Sequence, residues 1–134
     1  MDNKIRLDIV TPYGLVLSED VDEITATGSE GEFGVLPGHV PFITTLKIGM
    51  LVVKNGNATS YIFVSSGYAE VAPDKVVVLA DSAERAEDID VERAKAAMKR
   101  AEDRLRQEEK IDFARATAAL ERAAIRIQVA EKRR

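Results

Sequence analysis

The sequence predicts an α+β protein in which an N-terminal antiparallel β-sandwich is followed by a C-terminal antiparallel two-helix hairpin. All eight glycines lie at or before Gly67 and all four prolines at or before Pro73, so the strongest breakers of regular structure are confined to the first part of the chain. Residues 83–134 contain thirteen alanines among Lys, Arg, Glu and Leu, a composition typical of helices. We therefore expect a sandwich over residues 1–86 and a hairpin over residues 87–134.

Short strand-like segments fill the first part of the chain. Apolar and polar residues alternate over residues 5–9, and a period of two indicates a half-buried strand. Asn55-Gly56 suits a tight hairpin turn, because both central positions of such a turn need a positive φ. Turns recur at intervals of about eight to twelve residues with no helix between them, which predicts a sandwich or flattened barrel. Further strands are expected at residues 21–27, 42–46, 50–54, 60–65 and 75–80.

Two helices are expected in the second part. Asp90 can cap the first helix, because its carboxylate can accept hydrogen bonds from the unpaired N–H groups of the first turn. Asp112 can cap the second, and the polar segment 107–110 is where the chain can turn. Alanine dominates both apolar faces, so the hairpin buries little apolar surface and is expected to be marginally stable alone. These faces consist of Val91, Ala94, Met98, Ala101 and Leu105 in the first helix, and of Phe113, Ala116, Leu120, Ala123 or Ala124, and Ile127 in the second.

Charge divides along the same boundary. Residues 1–90 carry six basic and fifteen acidic side chains, a net charge of −9. Residues 91–134 carry thirteen basic and eight acidic side chains, a net charge of +5. The chain is therefore expected to consist of an acidic platform and a cationic arm.

Composition excludes several function classes. The chain has no cysteine, which removes disulfide scaffolds, thiolate zinc sites, iron–sulfur clusters and cysteine nucleophiles, and its single histidine removes a multi-histidine metal cage. The sequence contains no glycine-rich phosphate loop, dinucleotide fingerprint or nucleophilic triad. We expect a protein that is not an enzyme, binds no metal and requires no cofactor. No apolar stretch approaches the roughly 20 residues that cross a bilayer, and no secretory signal is recognisable, so a cytoplasmic location is expected.

Arginines in the helical part form two rows. Arg93 and Arg100 are seven residues apart in the first helix, and Arg115, Arg122 and Arg126 are spaced by seven and four in the second, so each row shares a helix face. One interpretation is a solvated basic face paired with neighbouring acids. The other is an anion site, in which guanidinium groups from both helices bind a polyphosphate.

Other polar groups also admit two interpretations. Glu84 and Asp90 are candidates to accept bonds from an exocyclic amine or a ribose, although Asp90 also suits a cap. His39 has the pKa class for acid–base chemistry, but without partner residues a structural or interface role is favoured. Glu30 and Glu32 fit an acid–base pair or, more simply, solvated carboxylates. Nucleic acid is disfavoured as a partner of the arginine rows, because the pI is about 5.1 and aromatic residues make up only 5% of the chain.

Three segments carry a resemblance to a known family. They are VTPYG at residues 10–14, GSEGEFGVLPGHVP at residues 28–41, which is the most specific, and SSGYAEV at residues 65–71. With them, essentially the whole chain resembles the epsilon subunit family of bacterial F-type ATP synthase. Members of that family have an N-terminal β-sandwich and a C-terminal helical hairpin, which agrees with the architecture predicted from composition.

The resemblance implies a non-catalytic rotor component on the central stalk of a proton-translocating ATP synthase, peripheral to the cytoplasmic face of the bacterial cell membrane. The sandwich of such subunits binds the gamma subunit and the c-ring, and so couples rotation to ATP synthesis. Residues 29–38 resemble the part that reaches the c-ring, and residues 36–41 the part near gamma. The partner contacts implied are Ser29, Glu30, Glu32, Phe33, Val35, Leu36 and His39.

The hairpin of the family lies folded on the sandwich or extends into the alpha/beta catalytic head, where it inhibits ATP hydrolysis. Net-positive helices would there face acidic surfaces of the beta subunits. In some members the folded hairpin binds ATP as a regulatory ligand, through a signature that IDVERA at residues 89–94 matches. The resemblance implies that Glu84, Ile89, Asp90, Arg93 and Ala94 hold the base and sugar region, and helical spacing adds Arg100, Arg122 and Arg126 as phosphate contacts. The alternative is a free-standing nucleotide-sensing module.

Overall fold

The computed structural model describes residues 3–107 and 113–132, in which eight strands precede two α-helices. This order confirms the predicted fold class. The strands are β1 (Ile5–Thr11), β2 (Gly14–Val21), β3 (Glu23–Gly28), β4 (Gly31–Val35), β5 (Phe42–Leu46), β6 (Gly49–Asn55), β7 (Ala58–Val71) and β8 (Lys75–Arg85). The helical segments are a short 3₁₀ helix (Ala86–Asp88), α1 (Val91–Arg106) and α2 (Phe113–Ala130). The predicted cap Asp112, and the predicted turn at residues 107–110 except for its first residue, lie outside the described residues.

Strand β7 joins the two layers of the sandwich. Its residues 58–64 pair with β6 and its residues 67–71 pair with β5, while β8 runs beside residues 62–71. The strand order is β2-β1-β8-β7-β5-β3-β4, with β6 paired to β3 and β7. Among the described strands every pairing is antiparallel except that of β1 with β8, which is parallel. The sheet is therefore mixed, although mostly antiparallel as predicted.

A kink at Ser66 and Gly67 marks the point where β7 exchanges one partner strand for the other. The φ angles of these two residues are +21° and +151°. The pairing with β8 keeps the same register on both sides of the kink. The sequence prediction ends this strand at residue 65. The strand continues instead, and β8 extends to residue 85 because it stays paired with β7.

Strands β2 and β4 have no counterpart in the sequence prediction. They lie at the two ends of the strand order, so each has a neighbour on one side only. In β2 only Leu17 and Val21 are buried, and β4 contains Gly31 and Gly34. Edge strands are half exposed and often contain polar residues or glycine. The alternation of apolar and polar residues that indicates a strand is therefore weak in their sequences. Half of the segment 29–38, which resembles the part that reaches the c-ring, is therefore strand β4, and it forms a hairpin with β3.

The turn between β6 and β7 is shifted by one residue from the prediction. Asn55 is the last residue of β6 and pairs across the turn, so Gly56 and Asn57 are the central residues. Only Gly56 has a positive φ, +63°, which fits a turn that needs glycine at its first central position. Asp22 fixes this turn. Hydrogen bonds from Lys4 and from the backbone N–H of Gly56, the latter 2.6 Å long, hold the pKa of Asp22 below its usual value.

The main core lies between the layers of the sandwich. The alternation at the start of the chain predicts a half-buried strand, and Ile5, Leu7 and Ile9 are all fully buried in this core. Arg6 and Asp8 lie on the opposite face of β1, where each forms ion pairs at the surface. Periodicity therefore predicts this strand and the orientation of its side chains correctly.

The two α-helices pack through small residues. Ala94 and Ala101 of α1 and Ala116 and Ala123 of α2 are buried, as the apolar stripes predict. Phe113, which the stripe of the second helix also contains, is 58% exposed, so its assignment to the seam is wrong. It is the first residue of α2, at the end of the hairpin farther from the sandwich. An alanine seam allows close packing but contributes little apolar area per residue.

The hairpin lies folded against the sandwich through a second, separate core. Val129 and Ala130 at the end of α2 are buried against Phe63 of β7 and against Ala86 and Ile89, which precede α1. We call these five residues the docking core. Partly buried apolar side chains surround it, namely Ile48, Met50, Tyr61, Val91 and Ile125. Because this core is small, the free energy that holds the arm in place is expected to be modest.

Candidate functional site

A groove of about 320 Å³ lies between the end of β8 and the two helices. It lies where the 3₁₀ helix leads from the sandwich into α1, so its walls come from both parts of the protein. The residues that line it are Glu84, Asp90, Arg93, Ala94, Ala97, Arg100 and Arg126. Six of the eight residues that the sequence predicts for nucleotide binding therefore lie around one cavity.

Three arginines line the groove. Arg93 and Arg100 come from α1, and Arg126 comes from α2. Within residues 3–107 and 113–132, no ion pair or side-chain hydrogen bond engages the guanidinium groups of Arg93 or Arg100. Guanidinium groups that converge without anionic partners attract a polyanion and can bind phosphate in bidentate fashion. The geometry favours the anion-site interpretation of these residues over a fully paired basic face.

Arg126 is held in position by the sandwich. Its Nε donates a hydrogen bond of 2.5 Å to Oε1 of Glu84, and its guanidinium carbon lies 4.3 Å from the centre of the Phe63 ring. The first contact is an ion pair between β8 and α2, and the second is a cation–π contact between β7 and α2. The side chains of Arg126 and Glu84 are 27% and 35% exposed. Arg126 therefore links the groove to the docking of the hairpin.

Asp90 caps α1 as predicted. Its Oδ1 accepts a hydrogen bond of 3.0 Å from the backbone N–H of Arg93, which leaves the Arg93 side chain available to the groove. Oδ2 makes no hydrogen bond within the part of the chain that the structure describes. Ala94 and Ala97 form the floor between the charged side chains. Their small size keeps the groove open, and Ala97 is a lining residue that the sequence analysis missed, although its position four residues after Arg93 places it on the same face.

Two predicted nucleotide residues do not line the groove. Ile89 is buried in the docking core, where it packs against the sandwich. Ile89, the first residue of the signature, is therefore a structural residue beside the cavity. Arg122 is half-buried on α2, one turn before Arg126, and lies outside the lining. Helical spacing predicts the face of Arg122 but not the distance to which its side chain reaches.

The predicted partner segment contains exposed and buried residues. Ser29 and Glu30 are exposed at the turn between β3 and β4, Glu32 is exposed near the start of β4, and Leu36 is 57% exposed after that strand. Val35 is fully buried in the main core, so its predicted contact with a partner is wrong for this conformation. It is the inward-facing residue at the end of β4, and burial in the core accounts for its apolar side chain.

Phe33 and His39 are half-buried, and the ring of each lies close to the ring of Phe42. The Phe33 ring meets the Phe42 ring edge-on with centres 5.4 Å apart, and the His39 ring lies 5.1 Å from the Phe42 ring. Nδ1 of His39 is 2.8 Å from the carbonyl oxygen of Val40. These contacts fit the structural and interface interpretation of His39, and they show no arrangement for acid–base chemistry within the described residues.

The outer face of the sheet exposes a row of apolar side chains that the sequence analysis did not single out. Leu15, Val10, Leu79 and Tyr68 pair in that order across β2, β1, β8 and β7. Leu15, Leu79 and Tyr68 are 63%, 45% and 53% exposed. We call these four residues the apolar row. A contiguous exposed apolar patch marks an interaction surface, and the apolar residues on both faces of β8 were the signal in the sequence.

Other kinds of site are not found in the described residues. No group of three or more His, Cys, Asp or Glu residues in residues 3–107 and 113–132 is placed to hold a metal ion. In the same part of the chain, neither helix combines the length and the hydropathy that a membrane span needs.

Comparison with known protein families identifies both parts of the chain. Residues 4–86 match the β-sandwich domain, and residues 87–131 the long α-helix domain, of the delta/epsilon chain of ATP synthase. The chain belongs to the ATP synthase delta/epsilon family. Two relatives named "ATP synthase epsilon chain" show that, within this family, the chain belongs with the epsilon chains. One, from Thermodesulfovibrio yellowstonii, is 57% identical over 107 residues, which are 80% of this chain and 76% of the relative. Another, from Geobacter metallireducens, is 60% identical over 102 residues, 76% of this chain and 74% of the relative.

Solved structures of ATP synthases contain chains that are similar to this one. A chain in the mitochondrial ATP synthase of Euglena gracilis, in a structure of OSCP, F1 and the c-ring, is 28% identical with a TM-score of 0.80. The match covers 92% of this chain and 79% of that one. A chain of the central stalk and c-ring of the Tetrahymena thermophila enzyme, 16% identical with a TM-score of 0.56, has the same fold over 96% of this chain and 95% of its own length. The resemblance found in the sequence is confirmed, and the chain is a subunit of ATP synthase.

Proposed function

We propose that the chain is a non-catalytic rotor subunit in the central stalk of a proton-translocating F-type ATP synthase, peripheral to the cytoplasmic face of the bacterial cell membrane. It couples rotation to ATP synthesis through contacts of its sandwich with the gamma subunit and the c-ring. The observation that carries this proposal is the match of both parts of the chain to the delta/epsilon family, together with relatives named as epsilon chains. The Euglena structure, which contains F1 and the c-ring, supports these partners.

Two surfaces of the sandwich are available for these partners. We assign the apolar row, together with residues 36–41, to the gamma subunit, because exposed apolar area of this extent favours burial in a permanent interface. We assign the end of the β3–β4 hairpin to the c-ring, because Ser29 and Glu30 in its turn and Glu32 near the start of β4 are exposed.

The substitution Leu79→Glu tests the rotor proposal. A charge in the middle of the apolar row cannot be buried without a partner, so we expect the variant to lose most of its co-purification with the membrane-bound ATP synthase. Thr59→Glu, at an exposed position of β7 outside the row, is the matched control and should co-purify like the wild type. Failure of the wild-type chain to co-purify would contradict the rotor proposal and favour a free-standing nucleotide module. Salt-sensitive retention on DNA would instead favour a nucleic-acid partner.

The hairpin is proposed to inhibit ATP hydrolysis when it leaves the sandwich. The docking core is small and the alanine seam buries little apolar area, so release of the hairpin costs little free energy. Its positive net charge suits the acidic surfaces of the alpha/beta catalytic head. In the folded state that the structure describes, the arm is held away from such a partner. Inhibition is thus a matter of which state of the hairpin is populated.

ATP is the proposed regulatory ligand of the folded state. Its phosphates suit the guanidinium groups of Arg93 and Arg100, which have no ion-pair partner among the described residues. Oδ2 of Asp90, which makes no hydrogen bond to those residues, is available to the ribose. A ligand that binds only the folded hairpin stabilises it by about 2.7 kcal/mol at a concentration one hundred times its dissociation constant. That is comparable with the free energy expected of a small docking contact, so ATP can keep the hairpin folded and its depletion can release it.

The substitution Arg93→Ala tests the regulatory site. Loss of a charged hydrogen bond to phosphate is expected to weaken ATP binding by about 10- to 100-fold in calorimetric titrations. The cap of α1 is unaffected, because Asp90 binds the backbone N–H of residue 93 rather than its side chain. Arg104→Ala, an exposed arginine of α1 outside the groove, is the control and should leave the affinity unchanged. Equal affinity of both variants would show that ATP binds elsewhere, and no saturable binding by the wild type at millimolar ATP would remove the regulatory role alone.

A further inference from the structure

Two aromatic rings on β7 face the hairpin. Tyr61 and Phe63 are two residues apart, so their side chains lie on the same side of the strand. Ile62 and Val64, which alternate with them, are buried in the main core on the other side. Phe63 is fully buried in the docking core, and Tyr61 is half-buried at its margin. Strand β7 therefore presents one covered ring and one partly open ring to the end of α2.

The end of α2 meets this side of β7 with two cations, Arg126 and Lys132, which precede and follow Val129 in the sequence. The backbone N–H of Lys132 donates a hydrogen bond of 3.0 Å to the carbonyl oxygen of Val129, and this bond closes a tight turn of three residues. Side chains three residues apart are eclipsed in such a turn, so Lys132 stays on the side of the helix on which Val129 is buried. The backbone therefore directs Lys132 toward the sandwich immediately after α2 ends.

The Lys132 side chain lies over the partly open ring. Its Nζ is 5.8 Å from the centre of the Tyr61 ring, within the range of a cation–π contact. Within residues 3–107 and 113–132, no ion pair engages Lys132, whereas Arg126 pairs with Glu84 as well as lying over Phe63. The Tyr61 ring is therefore the group that attracts the Lys132 charge to the sandwich.

This contact lies apart from the groove, at the base of the hairpin. Neither Tyr61 nor Lys132 lines the groove, whereas Arg126 contributes both to the groove and to docking. Strand β8 ends beside Ile62, where the chain leaves the sheet for the 3₁₀ helix, and the end of α2 returns to this place. A change at Lys132 therefore alters the docking of the hairpin without altering the residues that line the groove.

We propose that Lys132 and Tyr61 form a latch that closes the C-terminal end of the hairpin on the sandwich and sets the fraction of released hairpins when no ligand is bound. Two cation–aromatic contacts then hold the hairpin. That of Arg126 with Phe63 is covered and is shared with the groove, while that of Lys132 with Tyr61 is open to solvent and serves docking alone. The latch is a contact within the folded chain, so it depends on the proposed function only for its effect on ATP hydrolysis.

Cleavage of the ligand-free full chain by a glutamyl endopeptidase tests the latch. The hairpin carries glutamates in both helices, and this protease, unlike trypsin, loses no cleavage site when residue 132 is changed. When the hairpin closes faster than it is cut, the cleavage rate follows the population of the released state. Lys132→Met keeps a long side chain but removes the charge, so cleavage of the hairpin should become about two- to fivefold faster. Lys132→Arg keeps the cation and should be cleaved no faster than the wild type.

Two further variants separate the latch from general effects of charge and area. Lys99→Met removes the charge of an exposed lysine of α1 that is not part of the latch, so its cleavage rate should equal that of the wild type. Tyr61→Leu replaces the ring by an apolar side chain and should accelerate cleavage. In the Tyr61→Leu background, Lys132→Met should cause no further acceleration, because the ring that attracts the charge is absent.

Two results would overturn the latch. One is a cleavage rate of Lys132→Met equal to that of Lys99→Met. The other is the same acceleration by Lys132→Met with and without the Tyr61 ring, because the charge would then act on the carbonyl groups at the end of α2 rather than on the ring. Hydrolysis by the assembled synthase tests the proposed inhibition separately, since Lys132→Met should lower its rate. Faster cleavage with an unchanged rate of hydrolysis would leave the latch in place and show that the inhibitory role of the hairpin is wrong.

Discussion

Gly67→Ala is expected to lower the free energy of unfolding of the sandwich by about 4 kcal/mol or more. A Cβ atom on residue 67 would lie 1.9 Å from the carbonyl oxygen of Leu79 and 2.8 Å from the Cα of Ala80. Both are backbone atoms of β8, so no side chain can move away to make room. The φ of +151° is also unfavourable for any L-residue with a side chain. Relief requires β7 and β8 to separate at the kink that joins the two layers.

Urea unfolding followed by circular dichroism measures this effect, and Gly34→Ala is the matched control. Gly34 is an exposed glycine of β4 with its nearest contact, the carbonyl oxygen of Ile24, at 3.9 Å. Alanine fits there, so the free energy of unfolding should change by no more than about 0.5 kcal/mol. A Gly67→Ala variant that unfolds at the same urea concentration as the wild type would contradict the close approach of the two strands.

Val129→Asp is expected to release the hairpin while the sandwich stays folded. Val129 is fully buried in the docking core, and a carboxylate buried there without a partner costs several kcal/mol. Since the hairpin is held by this small core and by the contacts of Arg126, undocking costs less than burial of the charge. The sandwich has its own core between its layers and does not depend on residue 129.

Limited digestion with trypsin, analysed by mass, distinguishes the two states, because the hairpin is rich in Lys and Arg. The Val129→Asp variant should be cleaved rapidly in α1 and α2 and leave a resistant sandwich fragment. Gln128→Asp introduces the same charge at the adjacent exposed position and should be protected like the wild type. Equal protection of both variants would show that the docking core does not hold the hairpin, and rapid loss of the sandwich as well would show that the two cores are not independent.

Arg126 connects docking with the proposed ligand. The same side chain pairs with Glu84, packs on Phe63 and lines the groove. A ligand held by α1, by Arg126 and by β8 meets all three only when the hairpin is folded, so binding and docking are linked by mass action. Under the proposed function, this linkage would let the ATP concentration set the fraction of released hairpins in an assembled ATP synthase.

Local sequence pattern determined those features that depend on neighbouring residues. The alternation at Ile5, Leu7 and Ile9 predicts a strand with the correct inward face, and Asp90 predicts the start of α1, because periodicity and capping act over a few residues. The alanine stripes likewise predict the seam of the hairpin. The resemblance and helical spacing predicted eight nucleotide-binding residues, and six of them line the groove.

Features that depend on residues distant in the chain were decided by the tertiary structure alone. Strand β4 forms in spite of its glycines because β3 pairs with it, and Val35 is buried because the core covers the end of that strand. The strand predicted to end at residue 65 continues through the kink at Gly67, because β8 pairs with it on both sides of the kink. The apolar row arises from the register of separate strands, and the groove arises from the folded position of the hairpin. A short-range pattern contains no information on which distant backbone will lie alongside a segment, and that pairing determines burial, exposure and the sites that result.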